Sequence, residues 1–333
     1  MANAKFDITG IGNAIVDTLA QTDDDVLARE GLNKGGMMLV DEARANALYN
    51  AMGQTTVISG GSGANTIVGA ASFGARTAFI GKVKDDAAGK EFTHDIRAVG
   101  VHFTTPPAKD GAATARCLVF VTPDGERTMN TYLGACQALN ADDVDPALIR
   151  DSEITYLEGY LWDPPAAKEA FIKAADIAHA AGRQVALTLS DSFCVDRYRT
   201  EFLKLMRDKK VDIVFANQHE LRSLYETADF DTAVKAFRDE GVLGVVTRSE
   251  LGSIVVTRNE TKSVPAFPIQ KLVDTTGAGD LFAAGFLAGL TKGKDLTDCA
   301  RLGALAAAEV IQHVGARPQV NLGDLARQNG LLP

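Results

Sequence analysis

The sequence predicts an α/β protein: a central, mostly parallel β-sheet covered by helices on both faces, with a small second β-sheet set over it as a lid. Three observations carry this. Short β-branched, apolar runs alternate with longer stretches whose apolar residues recur at i, i+3 or i+4. Strand followed by helix, repeated, builds parallel strands joined by crossover helices. Four further apolar runs break that rhythm. The chain has 333 residues, 46% apolar and 23% charged, and is long enough to bury a substantial core.

In chain order, strands are expected at residues 6–9, 56–59, 77–80, 154–157, 185–189, 213–216, 244–247 and 254–257. Helices are expected at 64–73, 89–99, 165–181, 199–207, 218–226, 232–240, 281–290 and 300–312. The segments outside this alternation are 15–22, 36–40, 116–121 and 127–133. The last two flank Thr122-Pro123-Asp124-Gly125-Glu126, a turn of hairpin type. With no helix between the members of each pair, these four read as a separate small sheet. The expected organisation is one domain over 1–333, with lid segments inserted at about 15–40 and 112–134.

Composition narrows the function. With 34 Lys+Arg against 43 Asp+Glu the formal charge is −9, and an acidic balance argues against nucleic acid or an anionic membrane as partner. Cys117, Cys136, Cys194 and Cys299 form no CxxC pair, so a zinc or redox motif has no basis and reduced thiols are expected. The first ten residues show no basic region followed by an apolar run, and residues 281–290 are too few to cross a bilayer. A cytoplasmic protein is expected.

The strongest chemical signal is Asp274-Thr275-Thr276-Gly277-Ala278-Gly279-Asp280, running into the 281–290 helix. Small residues at Gly277, Ala278 and Gly279 let a ligand approach the backbone. The helix aims its unsatisfied N–H groups and positive dipole end at the same point, which makes an anion hole for phosphate. Asp280, in the first turn, can take the proton of a hydroxyl that attacks a phosphoryl group. Gly10-Ile11-Gly12-Asn13-Ala14-Ile15 suggests a dinucleotide-binding turn, but Ile15 stands at the third small position and the segment continues as strand.

The string at 274–280, followed by Leu281-Phe282-Ala283-Ala284-Gly285-Phe286, resembles the C-terminal signature of the ribokinase (PfkB-type) family of ATP-dependent carbohydrate and nucleoside kinases. The resemblance implies a ribokinase-like three-layer sandwich with ATP as co-substrate and Mg2+ as cofactor. It implies Asp280 as catalytic base, with the Gly277, Ala278 and Gly279 amides stabilising the transferred phosphoryl group. Asn217-Gln218-His219-Glu220, after the strand at 213–216, matches the family's Asn-x-x-Glu motif, so Asn217 and Glu220 would order Mg2+ through water. The same spacing suits a capping box. Gly60-Gly61-Ser62-Gly63-Ala64-Asn65 resembles the family's substrate motif, with Gly61, Ser62 and Asn65 toward the acceptor. Gly12-Asn13-Ala14-Ile15-Val16-Asp17 resembles its first substrate-binding stretch, with Asn13 beside the acceptor and Asp17 accepting from two vicinal ribose hydroxyls. Asp274 and Thr276 match positions that help place a monovalent cation in some relatives. Thr247 and Gly252 match a Thr-x-Gly-x-x-Gly turn near the nucleotide, with Ser249 in place of its first glycine. His313 is expected to border the adenine of ATP or to face solvent.

Within the family the strongest likeness is to the adenosine kinases. It rests on residues 12–17 and on Arg127-Thr128-Met129-Asn130-Thr131-Tyr132-Leu133-Gly134-Ala135. That likeness implies Arg127 at the transferred phosphate and Leu133 and Ala135 along the nucleoside; a solvated hairpin position is the other reading of Arg127. Met37, Met38 and Leu39 on a lid strand, with Tyr160 at a strand end, offer the apolar faces a purine needs. They would equally serve to pack the lid onto the domain. The expected reaction is 5′-phosphorylation of adenosine, a purine-salvage step. The alternatives are a ribokinase- or fructokinase-type sugar kinase and a non-catalytic nucleoside-binding protein. The lid's apolar face suits either a monomer or a lid-mediated homodimer.

Overall fold

The structure is a computed structural model that describes residues 4–333. The chain enters the main sheet with β1 (Phe6–Ile11) and crosses to the lid with β2 (Ile15–Gln21), α1 (Asp24–Arg29), β3 (Met37–Leu39), α2 (Glu42–Ala51) and β4 (Thr55–Gly60). It returns through α3 (Ser62–Ser72) to β5 (Thr77–Ile80), α4 (Ala87–Ala98) and β6 (His102–Phe103), then revisits the lid with the hairpin β7 (Ala115–Val121) and β8 (Arg127–Tyr132). The main body continues with α5 (Pro146–Arg150), β9 (Ser152–Glu158), α6 (Pro165–Ala180), β10 (Gln184–Thr188), α7 (Ser192–Arg207), β11 (Ile213–Asn217), α8 (Gln218–Leu224) and α9 (Phe230–Asp239). It ends with β12 (Leu243–Thr247), β13 (Ser253–Val256), β14 (Thr261–Val264), α10 (Ala278–Thr291), α11 (Leu296–Val310) and α12 (Leu322–Gln328).

Among the described residues nine strands form the main sheet, in the order β14-β13-β12-β11-β10-β9-β1-β5-β6. From β6 to β12 the strands are parallel, and β13 and β14 turn back antiparallel. Crossover helices cover both faces, so strand residues are buried on both sides. Along β11, Ile213 and Phe215 pack with Ile67 of α3 and Phe286 of α10, whereas Val214 and Ala216 pack with Phe171 of α6 and Phe202 of α7. This is the three-layer sandwich that the resemblance implied. No helix among the described residues is long and apolar enough to cross a membrane.

The lid differs from expectation in one strand. The run at 56–59 belongs to β4, which pairs antiparallel with β2, so the lid sheet has five strands, β3-β8-β7-β2-β4, rather than four. An apolar run looks the same whichever sheet it joins, and the pairing is decided by where the chain has come from. The short helices α1, α2, α5 and α12 and the strands β6 and β14 lie outside the expected elements. Helix α7 starts at Ser192 instead of 199, capped by Asp191, which accepts from the Cys194 amide at 2.6 Å; non-helical backbone at Tyr198 divides it. Leu27 and Leu48 cover one face of the lid against Leu118 and Phe120, which leaves the other face, with Val119 and Met129, to look onto the main body.

Helices α3 and α10 approach closely because residue 69 is glycine. A Cβ there would lie 2.7 Å from Ala284 Cβ and Leu281 Cδ1. This contact brings the first turns of the two helices together.

Candidate active site

The strands of the main sheet end beneath the inner face of the lid, around a cavity of about 1130 Å³. In open α/β sheets the crevice outside the carboxyl ends of the strands is where ligands bind. The glycine-rich loop before α10 forms part of its wall. Gly277 caps the helix in the left-handed region (φ +79°), and a Cβ on it would lie 2.7 Å from Ala316 Cβ. A Cβ on Gly279, by contrast, would meet nothing within 4 Å, so the helix end opens onto the cavity. Gly277, Ala278 and Gly279 all line it. The Ala278 amide already donates to Thr275 O at 3.2 Å, so an anion would be met by the neighbouring amides.

Asp280 sits in the first turn of α10 facing α3. Its Oδ1 accepts from Ser62 Oγ at 2.6 Å and its Oδ2 from Asn65 Nδ2 at 3.2 Å. Burial raises its carboxyl above the usual range, against the pull of these two donors and of Arg317. On the lid side, the Asp17 carboxylate of β2 makes no hydrogen bond to another described residue and lines the wall. Burial pushes its carboxyl up to about 6, with Arg127 and Arg317 drawing it down and Asp280 adding to the rise. Two carboxylates thus share one cavity with the Arg127 guanidinium, and both also feel the charge of Arg317 behind its wall.

Asn13, Gly61, Ser62 and Asn65 line the same cavity. They are held together by a residue that the sequence reading passed over. Glu158, at the end of β9, is buried and accepts from Asn13 N (3.1 Å), Asn13 Nδ2 (2.6 Å) and Gly63 N (2.7 Å). Burial pushes its carboxyl up to about 7, opposed by those donors. The approach is tight enough that a Cβ on Gly12 would fall 2.3 Å from Glu158 Oε2. An acidic residue closing the run Ile154–Leu157, just before Gly159, is the signal that could have found it.

Arg127 on β8 is buried, not solvated. Its Nη1 donates to Asp274 Oδ2 at 2.9 Å, a bond that joins the lid to the anion loop, and the residue also lines the cavity. Burial would raise the Asp274 carboxyl, but the Gly315 and Thr276 amides and Arg127 together hold it below the usual range. Thr276 lines the cavity and Asp274 does not. A carboxylate already facing a guanidinium and two amide N–H groups does not suit a cation, so the monovalent-cation reading of Asp274 and Thr276 finds no support here.

Asn217 and Glu220 form the capping box, and both line the cavity. Asn217 Oδ1 accepts from the His219 and Glu220 amides, while Glu220 accepts from the Asn217 amide at 2.9 Å and from its side chain. Burial pushes the Glu220 carboxyl up to about 7, and Asp191 adds to the rise. No group of three or more candidate metal ligands exists among the described residues. The pair Glu220 and Asp191, both on the cavity wall, fits a magnesium ion held mainly by phosphate oxygens and water.

On the nucleotide side Thr247, Ser249 and Gly252 line the cavity. Ser249 adopts a left-handed backbone (φ +52°) and Gly252 does so at φ +80°, so the turn keeps a glycine-type conformation without the first glycine. Two expected residues lie elsewhere. His313 is outside the cavity lining, with Nε2 on Glu309 Oε1 at 3.1 Å; the wall there consists of Ala304, Ala307, Ala308 and Ile311, whose small side chains leave a slot. Ala135 is buried behind the cavity, its amide on Ala113 O at 2.8 Å. Leu39, Leu133 and Tyr160 do line it, together with Met37, Met38 and Met129.

Known proteins share this arrangement. A model of the pfkB family carbohydrate kinases matches residues 38–321. A solved structure described as adenosine kinase from Sinorhizobium meliloti is 55% identical, with a TM-score of 0.91 over 98% of this chain and 100% of that one. A probable sugar kinase protein from Rhizobium etli CFN 42 is 51% identical, with a TM-score of 0.93 over 99% of this chain and 100% of that one. Adenosine kinase of Saccharomyces cerevisiae is 27% identical over 327 residues, 92% of this chain and 94% of the relative. With the sandwich, the lid and the glycine-rich loop before α10 in place, this chain belongs to the pfkB family of carbohydrate kinases, phosphotransferases that act on a hydroxyl group with ATP as co-substrate.

Proposed function

We propose that the chain transfers the terminal phosphoryl group of ATP to the 5′-hydroxyl of adenosine, giving AMP and ADP, and so serves purine salvage. One observation carries the reading: the unpartnered Asp17 carboxylate and the half-buried Asp280 face the same cavity, and the wall between lid and sheet is apolar at Met37, Met38, Leu39, Leu133 and Tyr160. Asp17 has the free acceptor sites that two vicinal ribose hydroxyls require. The apolar wall takes the purine, where a free sugar would leave it uncovered.

The 5′-oxygen then comes to Asp280, which accepts its proton as the new O–P bond forms and the bond to the leaving ADP oxygen breaks. Arg127 and the amides at the start of α10 neutralise charge on the migrating group. Magnesium, carried with the triphosphate beside Glu220 and Asp191, supplies further neutralisation. ATP's adenine fits the slot walled by Ala304, Ala307 and Ala308. The lid excludes water from the transfer.

The 51% identity to a probable sugar kinase favours a second reading, a sugar acceptor in the same site. Offering adenosine, inosine, ribose and fructose with Mg-ATP and measuring ADP release separates the two. Adenosine is expected to give the highest kcat/KM; a clear preference for a free sugar rejects the nucleoside reading and leaves a kinase.

A further inference from the structure

Arg317, in the loop between α11 and α12, is a charged group that no motif assigns, and its charge acts on both Asp17 and Asp280. Its Nε donates to Ser59 O at 3.1 Å and its Nη2 to Ser59 Oγ at 3.0 Å, with a further bond from Nη2 to Ser59 O and one from Nη1 to Ala64 O at 3.5 Å. Ser59 lies near the end of β4, the strand by which the chain leaves the lid. Ala64 lies in the first turn of α3, between the two residues that hold Asp280. From the other side, Asp95 of α4 accepts the Ser59 amide at 2.7 Å. Ser59 is therefore gripped through its N–H, its carbonyl and its hydroxyl.

The loop that carries Arg317 also touches the phosphate end of the site. The Gly315 amide donates to Asp274 Oδ2 at 2.9 Å, and Ala316 packs against Gly277. Three consecutive residues thus meet the Arg127–Asp274 pair, the anion loop and the lid's exit strand. The carboxylates around the guanidinium are Asp17 of β2, Asp95 of α4 and Asp280 of α10. None forms a direct ion pair with it among the described residues, so its charge is shared over three acids.

We propose that Arg317 is a positioning residue for phosphoryl transfer: it ties the lid's exit strand to the first turn of α3 and serves as the counter-charge common to Asp17 and Asp280. The proposal rests on the kinase reading above and adds a residue to it. Burial lowers the Arg317 guanidinium to about 10 while Asp17, Asp95 and Asp280 hold it up, which is the same sharing seen from the base. The other groups facing the pair are Arg127 and Cys117 toward Asp17, and Ser62, Asn65, Glu158, Tyr156 and Tyr160 toward Asp280. Of these only Arg127 is cationic, and it is engaged by Asp274.

Two variants of the full chain separate tether from charge. Arg317→Met removes both; Arg317→Lys keeps the charge and loses the three-point grip on Ser59. The wild type is run first on the panel of alcohols, and the variants are read on the acceptor it uses, so failure of adenosine is not mistaken for failure of Arg317. In Arg317→Met the acid limb of kcat/KM is expected to move up by about one pH unit, because loss of a nearby positive charge makes carboxylates easier to protonate. Arg317→Lys is expected to keep the limb in place yet raise the acceptor KM by about tenfold. If Arg317→Met does not fold, Arg317→Gln, also uncharged, carries the same pH measurement. An uncharged variant with the wild-type acid limb overturns the counter-charge role, and an Arg317→Lys variant with the wild-type KM overturns the tether.

Discussion

Replacing Asp280 by asparagine tests the chemistry with little disturbance of the fold. The new amide oxygen still accepts from Ser62, now at 2.6 Å from Oδ1. The new amide nitrogen faces Asn65, whose own Oδ1 is buried without a partner and can turn to accept from it. Both hydrogen bonds survive, and a buried charge disappears. Because burial raises the Asp280 carboxyl, its contribution to wild-type stability is complete below the unfolded carboxylate range, at about pH 4, and is lost as pH rises through the raised folded value. The melting temperature of Asp280→Asn, which has no ionisable group there, should therefore move upward relative to wild type as pH rises from below that range to neutrality. Activity behaves oppositely. Loss of a general base lowers kcat by at least about a hundredfold, roughly 2.7 kcal/mol of transition-state stabilisation. Coupled ADP release with saturating Mg-ATP gives kcat, calorimetry gives ATP affinity, and scanning fluorimetry at several pH values gives stability. A variant that keeps activity within tenfold of wild type, or that loses ATP binding and melts well below it, refutes the assignment of Asp280 as base.

Other outcomes follow from the same geometry. Ser249→Gly relieves a left-handed serine (φ +52°) and should raise stability by about 1 kcal/mol in chemical denaturation, with kcat unchanged; a loss of stability would mean that the serine side chain holds the turn. Burial pushes Asp17 up to about 6, so nucleoside KM should climb as pH falls through 6. Asp17→Asn should raise KM by about tenfold or more and flatten that dependence; a variant with unchanged KM would remove Asp17 from the acceptor site.

The parts of the molecule that were readable in the sequence are those whose chemistry is local. The string from Asp274 to Asp280 carries its own loop, helix end and carboxylate, and the main-sheet strands announce themselves by continuous apolar runs. What escaped depends on distant partners. The strand at Thr55–Gly60 has the same pattern whether it joins the lid or the main sheet, and its partners on β2 lie 35 to 45 positions earlier, from Ala20↔Thr55 to Ile15↔Gly60. Glu158 gains its meaning from Asn13, 145 residues earlier, and Arg317 from Ser59, 258 residues away. Helix α1 is a turn and a half long and α2 buries only Ala45 and Leu48, so no apolar period marks them. His313 and Ala135 were placed by likeness, and the α11 wall shows why a likeness in sequence does not fix which side of a turn meets the ligand.

A group able to activate one alcohol can deprotonate water as well. Each oxygen of Asp280 already accepts one hydrogen bond from α3, so few acceptor sites remain open for a solvent molecule. An acceptor gripped elsewhere by Asp17 delivers its own hydroxyl at a high effective concentration and wins that exchange. On the proposed reaction, protection against futile breakdown of ATP would start with how few sites Ser62 and Asn65 leave open on Asp280, before any larger movement of the protein.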